Sequence, residues 1–131
     1  MIVDSSAVIA ILRRESEADT FIRAIGEAGT PSMSAATFFE ASIVIDSRRD
    51  PAASRELDAF LKDANIKIVS LDERQARIAR EAYRDFGKGS GHKARLNFGD
   101  CFAYALAKAS GEPLLYKGKD FSHTDVASAL D

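Results

Sequence analysis

The chain has 131 residues, of which 46% are apolar and 29% charged, and its 18 basic and 20 acidic side chains give a net charge of −2. This composition predicts one soluble globular domain over residues 1–131 that needs no disulfide or zinc ion, and it excludes a polycationic nucleic-acid binder. The single cysteine, Cys101, and the shortness of the apolar runs favour a cytoplasmic protein with no membrane span.

Apolar runs and turn-forming residues alternate along the chain and predict an alternation of strands and helices. Strands are expected at residues 1–3, 30–33, 66–69 and 113–116. Helices are expected at residues 7–14 and 17–27, after Ser34, after Asp50, from Asp72 to Phe86, and from Phe98 to Ser110 after Asn97. The pair Asp72 and Gln75 has the spacing of a capping box. No element is assigned to residues 117–131.

This element order predicts an α/β domain in which helices cover both faces of a mainly parallel sheet, a three-layer α/β/α arrangement. In parallel sheets, ligands bind beyond the carboxyl ends of the strands. Asp4 follows the first predicted strand, and residues 117–120 follow the last. We therefore expect a functional site at this edge of the sheet.

Three carboxylates lie in apolar surroundings in the sequence: Asp4, Glu40 and Asp100. Burying them without counter-charges would be costly, unless a divalent cation neutralised them, and carboxylate oxygens select Mg²⁺ or Mn²⁺ over zinc. Simpler interpretations also exist, since Asp4 and Asp100 could cap helices and Glu40 could pair with an arginine. Taken together, the three favour a metal-dependent site for phosphoryl chemistry, with Asp120 as a further acidic residue.

A basic segment precedes Asp100. Residues 74–95 contain seven basic and two acidic side chains, although the arginines of the predicted helix are expected to form its solvated face. Lys88, Lys93 and Arg95 lie instead in a glycine-containing loop that leads to Asp100, where they could contact a phosphate backbone. This loop is the predicted substrate-binding segment.

Four stretches of the sequence together resemble the PIN-domain ribonucleases, in particular the VapC toxins of type II toxin–antitoxin pairs. They are Met1-Ile2-Val3-Asp4-Ser5-Ser6-Ala7, Phe38-Phe39-Glu40-Ala41, the stretch from Leu96 to Ala107 around Gly99-Asp100, and Pro113 to Phe121. The resemblance covers nearly the whole chain, and the stretch around Asp100 is its most specific part.

The resemblance implies a PIN-like fold and an Mg²⁺-dependent endoribonuclease, with Mn²⁺ as a possible substitute, that cleaves RNA by metal-activated water. It assigns Asp4, Glu40 and Asp100 as metal ligands and Ser6 as a hydroxyl residue of the substrate pocket. Asp120, with Asp125 close by in the sequence, is implied as the fourth acidic residue. The implied products carry 5′-phosphate and 3′-hydroxyl ends.

Partners are also implied by the resemblance: a cognate VapB-type antitoxin that inhibits the enzyme, an RNA substrate, and a second copy in a homodimer. The apolar helical segments 38–45 and 57–64 are candidates for such interfaces. Two alternatives of other classes are a phosphoacceptor receiver domain and a non-catalytic binding module with a decayed acidic site. A receiver has an acidic pair after its first strand, whereas Asp4 is followed by two serines.

Overall fold

A computed structural model describes residues 1–130 of the chain. Four strands are formed: β1 (Ile2–Val3), β2 (Ser32–Ser34), β3 (Lys67–Val69) and β4 (Leu114–Leu115). Six α-helices are formed: α1 (Ser5–Leu12), α2 (Ala18–Glu27), α3 (Ala35–Asp46), α4 (Pro51–Asp63), α5 (Glu73–Phe86) and α6 (Phe98–Ser110). A short 3₁₀ helix (Phe121–His123) lies in the segment to which the sequence assigned no element.

Local side-chain signals explain where most helices begin. The side chains of Ser34 and Asp50 accept hydrogen bonds from backbone amides at the starts of α3 and α4, as predicted. Helix α1 begins at Ser5, two residues earlier than predicted, because Asp4 itself accepts the capping bond from the Ser6 amide. The expected capping box at Asp72 is half formed, since the Gln75 side-chain amide donates to the Ser70 carbonyl instead.

The four strands form one parallel sheet in the order β3-β2-β1-β4. In this register Ile2 pairs with Ser32 on one side and with Leu114 on the other, so β1 is central. Because all strands run in the same direction, Asp4 and the residues after β4 emerge at the same edge. The parallel sheet and its position relative to Asp4 confirm the predicted fold class.

Helices cover both faces of the sheet and produce two apolar cores. Alternate residues of β1 point to opposite faces, with Val3 in a core built largely by α1 to α4 and Ile2 in a core built by α5 and α6. Leu57 and Leu61 of α4 are buried in the first core, so these two residues of the predicted interface segment 57–64 are used within the fold.

The end of the described chain runs beside β4, which is an edge strand. Leu114 donates its amide to the Ala127 carbonyl and accepts a hydrogen bond from the Ala129 amide. A bridge between Leu114 and Ser128 continues the parallel pairing. Within residues 1–130, no helix is both long and apolar enough to cross a membrane.

Candidate active site at the carboxyl ends of the strands

Asp4 is the most deeply buried carboxylate at the predicted edge, with 2% of its surface exposed. Its Oδ2 accepts hydrogen bonds from the Ser6 amide (3.1 Å) and the Ser6 hydroxyl (2.6 Å), while Oδ1 is buried without a partner in the part of the chain that the structure describes. Burial raises the pKa of Asp4 to about 7 against the opposing effect of the Ser6 bonds, and the charges of Asp100 and Glu40 raise it further.

Ser6 is itself held from the far end of the chain. Its Oγ accepts a hydrogen bond from the Lys117 backbone amide (3.0 Å), which follows β4 closely. The pairing of β4 with β1 therefore fixes the hydroxyl that donates to Asp4. The Lys117 ammonium does not reach the carboxylate, because it pairs with Glu15 at 2.9 Å and Glu17 at 3.4 Å.

Glu40 projects from the second turn of α3 and is half-buried. Its Oε1 accepts a hydrogen bond from the Ser5 hydroxyl at 2.7 Å. Its other carboxylate oxygen, Oε2, lies against Gly99, where a methyl group would overlap it. The packing of α3 against α1 and α6 thus brings Glu40 beside residues that are distant in the sequence.

Asp100 occupies the first turn of α6 and is also half-buried. It forms a reciprocal capping box with Asn97, in which each side chain accepts the other residue's amide, at 3.0 and 2.8 Å. Burial raises the pKa of Asp100, the Asn97 bond opposes this, and the charges of Glu40 and Asp120 raise it further. The capping interpretation of Asp100 is correct, and it coexists with a place in the acidic cluster.

The two candidates for a fourth acidic residue have different surroundings. Asp120 is exposed, and its charge acts on Asp100. Asp125 instead accepts hydrogen bonds from the Tyr104 hydroxyl (2.5 Å) and the Lys108 ammonium (3.1 Å), which together lower its pKa. Only Asp120 of the two is coupled to the other carboxylates.

The structure therefore brings Asp4, Glu40, Asp100 and Asp120 to one edge of the sheet, as an acidic cluster. Asp4 is fully buried as expected, whereas Glu40 and Asp100 are only half-buried, which differs from the expectation for these two. Sequence reasoning did not identify the contributions of Ser5, Gly99 and the Lys117 amide. A hydroxyl directly after Asp4 was the one available signal for Ser5.

The donor chemistry of the acidic cluster fits a divalent cation. All its donors are hard carboxylate oxygens, one of them the buried and unpartnered Oδ1 of Asp4, and none of the four carboxylates forms an ion pair within residues 1–130. Among the same described residues, no three His, Cys, Asp or Glu side chains lie close enough together to hold a metal ion. The cluster thus has the charge and ligand type for Mg²⁺, in an open arrangement.

The basic loop between α5 and α6 is closed at its base and exposed at its charges. Residues 87 and 96 form a bridge, and backbone bonds join Leu96 to Phe86 and Lys88. Lys88, Lys93 and Arg95 are exposed, and the charge of Lys88 lowers the pKa of Asp100. The loop therefore presents cations next to the acidic cluster.

An exposed apolar patch adjoins the same site. It surrounds a pocket of about 430 Å³ between α3 and α6, and the large side chains Phe39, Ile43 and Phe98 are 64%, 54% and 77% exposed. Glu40 and Gly99 line this pocket as well. The patch is formed by one of the two predicted interface helices, α3, and by the start of α6.

Comparison with known proteins is consistent with this geometry. A family model described as the PIN domain matches residues 1–127. Ribonuclease VapC28 of Mycobacterium tuberculosis is 55% identical over 131 residues, covering 100% of this chain and 98% of the relative. Ribonuclease VapC of Mycolicibacterium smegmatis is 48% identical over 128 residues, covering 98% of each.

Solved structures share the fold at low sequence identity. The crystal structure of VapC20 of M. tuberculosis, described as a sarcin-ricin loop cleaving toxin, has a TM-score of 0.74 at 16% identity and covers 96% of this chain and 95% of that one. A toxin–antitoxin complex from Klebsiella pneumoniae has a TM-score of 0.71 at 15% identity, covering 92% and 89%.

The α/β/α fold with carboxylates at the carboxyl ends of its strands, and the family match over nearly the whole chain, define the class: the chain belongs to the PIN-domain family. Within it, the full-length identity of 46–55% to curated ribonucleases makes the chain a VapC-type endoribonuclease toxin. Divalent-metal dependence is the general property of this family. The family match thereby excludes the alternative of a receiver domain.

Proposed function

We propose that this endoribonuclease uses Mg²⁺, or Mn²⁺ in its place, held by Asp4, Glu40 and Asp100, with Asp120 as the fourth acidic residue of the catalytic site. The observation that carries the proposal is the grouping of like charges: four carboxylates share one edge of the sheet, and none of them forms an ion pair in the described chain. A bound divalent ion would supply Lewis-acid stabilisation of phosphate charge and lower the pKa of a water molecule.

Each protein group then has a distinct task. Asp4 provides a buried oxygen that has no other partner, and Ser6 and the Lys117 amide fix its orientation. Asp100 is oriented by its capping box with Asn97 and would be a ligand from the first turn of α6. Asp120, being exposed, can approach from the solvent side. The charge of a bound cation would offset the repulsion among these carboxylates.

Substrate binding is proposed for Ser6 and the basic loop. Lys88, Lys93 and Arg95 would contact the phosphate backbone of a single-stranded RNA segment and guide it toward the acidic cluster. Phosphate contacts of this kind position the substrate but carry no sequence information. They leave the choice of RNA to other contacts.

The decisive experiment is cleavage of bulk cellular RNA by the purified protein with Mg²⁺, with Mn²⁺ or with EDTA, followed by sequencing of the 5′ ends. We expect cleavage with either metal, none with EDTA, and 5′-phosphate ends on the products. Asp4→Ala should be inactive. A wild-type protein that binds its antitoxin but cleaves no RNA with either ion would support the decayed-site alternative.

An antitoxin is the expected partner of this toxin, and we propose that it is of the VapB type. We also propose that residues 1–131 form one domain and that the protein is cytoplasmic. We also propose that the chain forms a homodimer through the apolar patch of Phe39, Ile43 and Phe98, because side chains of this size are rarely left exposed together. Light scattering at micromolar concentration should give twice the monomer mass, and Phe98→Asp should give the monomer mass. A wild-type monomer would contradict this proposal.

A further inference from the structure

Two adjacent serines at the start of α1 divide their hydroxyl groups between two carboxylates of the acidic cluster. Ser6 donates to Asp4 at 2.6 Å, and Ser5 donates to Glu40 at 2.7 Å. Ser5 is buried, with 8% of its surface exposed, and the Glu40 bond is the contact that its hydroxyl makes across 35 positions of sequence. Ser6 already has a place in the proposed site, whereas Ser5 does not.

The opposite side of Glu40 is bounded by Gly99 at the start of α6. The three atoms nearest to a side chain built at Gly99 all belong to the Glu40 carboxyl group, and a methyl group would overlap Oε2. Gly99 is buried and has no positive backbone φ angle. The absence of a side chain here is therefore explained by the space that Glu40 occupies and not by backbone conformation.

We propose that Ser5 and Gly99 are positioning residues that form a seat for the Glu40 carboxylate. Ser5 fixes Oε1 by a hydrogen bond, and Gly99 leaves the space that Oε2 fills. Glu40 is half-buried and has three rotatable bonds, so repulsion from Asp4 and Asp100 would otherwise turn its carboxylate toward solvent. The seat holds that carboxylate toward the cluster before any cation arrives. This inference rests on the proposed role of Glu40 as a metal ligand.

The test measures Mn²⁺ binding by titration calorimetry, without RNA, for the wild type and for Ser5→Ala, Ser5→Thr and Gly99→Ala. Loss of an outer-shell partner typically weakens metal affinity by about 10- to 100-fold, and we expect that range for Ser5→Ala. Ser5→Thr keeps the hydroxyl and should restore affinity to within about threefold of the wild type. Cleavage by Ser5→Ala should recover at raised Mn²⁺ concentration.

Gly99→Ala separates positioning from folding, because the two effects have opposite signs. Alanine is the better helix former, so Tm should stay level or rise, while the displaced Glu40 carboxylate should weaken Mn²⁺ binding by at least tenfold. Ser16→Ala is the matched control: it removes a serine-to-glutamate hydrogen bond of the same 2.7 Å length, to Glu17, in an exposed position. It should leave Mn²⁺ binding unchanged.

Glu40→Gln distinguishes failure of this inference from failure of the proposed function. If Glu40→Gln binds Mn²⁺ like the wild type, the assignment of Glu40 as a ligand is wrong and the seat has no purpose. If Glu40→Gln weakens binding while Ser5→Ala and Gly99→Ala bind like the wild type, the seat alone is overturned. The same holds if Ser5→Ala lowers Tm but leaves Mn²⁺ affinity at the wild-type value.

Discussion

Helix α6 borders two carboxylate sites that differ in whether a side-chain cation pairs with the carboxylate. Tyr104 near its middle and Lys108 in its last turn both donate to Asp125, and the pKa of Asp125 is lowered. At its start, Asp100 lies among Asp4, Glu40 and Asp120, and its pKa is raised, first by burial. A carboxylate with its own cation is a structural contact of the folded chain. Carboxylates that share one edge of a parallel sheet without an ion pair among the described residues are the ones that we propose as cation ligands.

The largest expected effect is the loss of cleavage on removing a carboxylate of the acidic cluster. Asp4→Ala and Asp100→Asn should each lower kcat/KM by more than about 100-fold, because loss of an outer-shell partner alone costs 10- to 100-fold. Rates would be measured on a fluorescent RNA, with circular dichroism as the control for folding. Wild-type rates in either variant would contradict the assignment of the acidic cluster, and not Asp125, as the catalytic site.

The second prediction concerns stability without metal. The pKa of Asp4 is about 7 in the folded protein, against 3.8 ordinarily, so folding favours its protonated form. The contribution of Asp4 protonation to the free energy of unfolding is therefore fully present below pH 3.8 and is lost as the pH rises to about 7. Since a tenfold change in proton affinity is worth about 1.4 kcal/mol, the loss is on the order of 4 kcal/mol.

Urea denaturation in EDTA between pH 4 and pH 8 would test this loss. Asp4→Asn, which is never charged, should be more stable than the wild type at pH 8 and nearly equal to it at pH 4. Saturating Mg²⁺ should reduce the difference at pH 8, because the ion binds the charged form. A wild-type protein that gained stability from pH 5 to pH 8 in EDTA would contradict the burial of an uncompensated Asp4.

The third prediction separates Asp120 from Asp125. Asp125→Ala removes the acceptor of Tyr104 and Lys108 and should lower the free energy of unfolding by about 1 kcal/mol, with cleavage unchanged. Asp120→Ala should do the reverse, lowering cleavage by about tenfold while leaving the exposed site's stability within about 0.5 kcal/mol. The reciprocal result would assign Asp125 to the active site.

The smallest expected effect lies in the basic loop. Each phosphate contact to a single strand contributes about 0.7 to the slope of log K against log salt, so Lys93→Ala with Arg95→Ala should flatten that slope by roughly 1.4. Arg77→Ala with Arg84→Ala is the matched control, since these arginines pair with Glu73 and Asp85 on α5. Equal slopes in both double variants would mark the loop cations as general surface charge.

The strands, the helices and most of the helix caps could be predicted because their causes lie within a few residues. Asn97 and Asp100 bond reciprocally across three positions, and Asp4 follows its strand directly. The box at Asp72 failed in part because Gln75 is buried and finds the Ser70 carbonyl, a preference that spacing does not reveal.

What the sequence could not predict depends on which helices meet. The bond from Ser5 to Glu40 exists only because α1 packs against α3, and the space at Gly99 is occupied only because α6 packs there too. The sequence indicated surplus apolar surface on the segment that contains Phe39, but not the exposure of Phe98. Apolar residues in a helix indicate a buried face, but whether another part of the same chain covers that face is a tertiary property.

The backbone bonds between β4 and the last described residues protect the edge of the sheet from pairing with other molecules in concentrated solution. A bare edge strand is a template for pairing with another chain, and residues 127–129 occupy that position on β4. Removing residues 126–131 would leave the amide and the carbonyl of Leu114 without these partners on the outer side of β4. Such a truncated protein should self-associate by strand pairing and precipitate at concentrations at which the full chain remains dispersed.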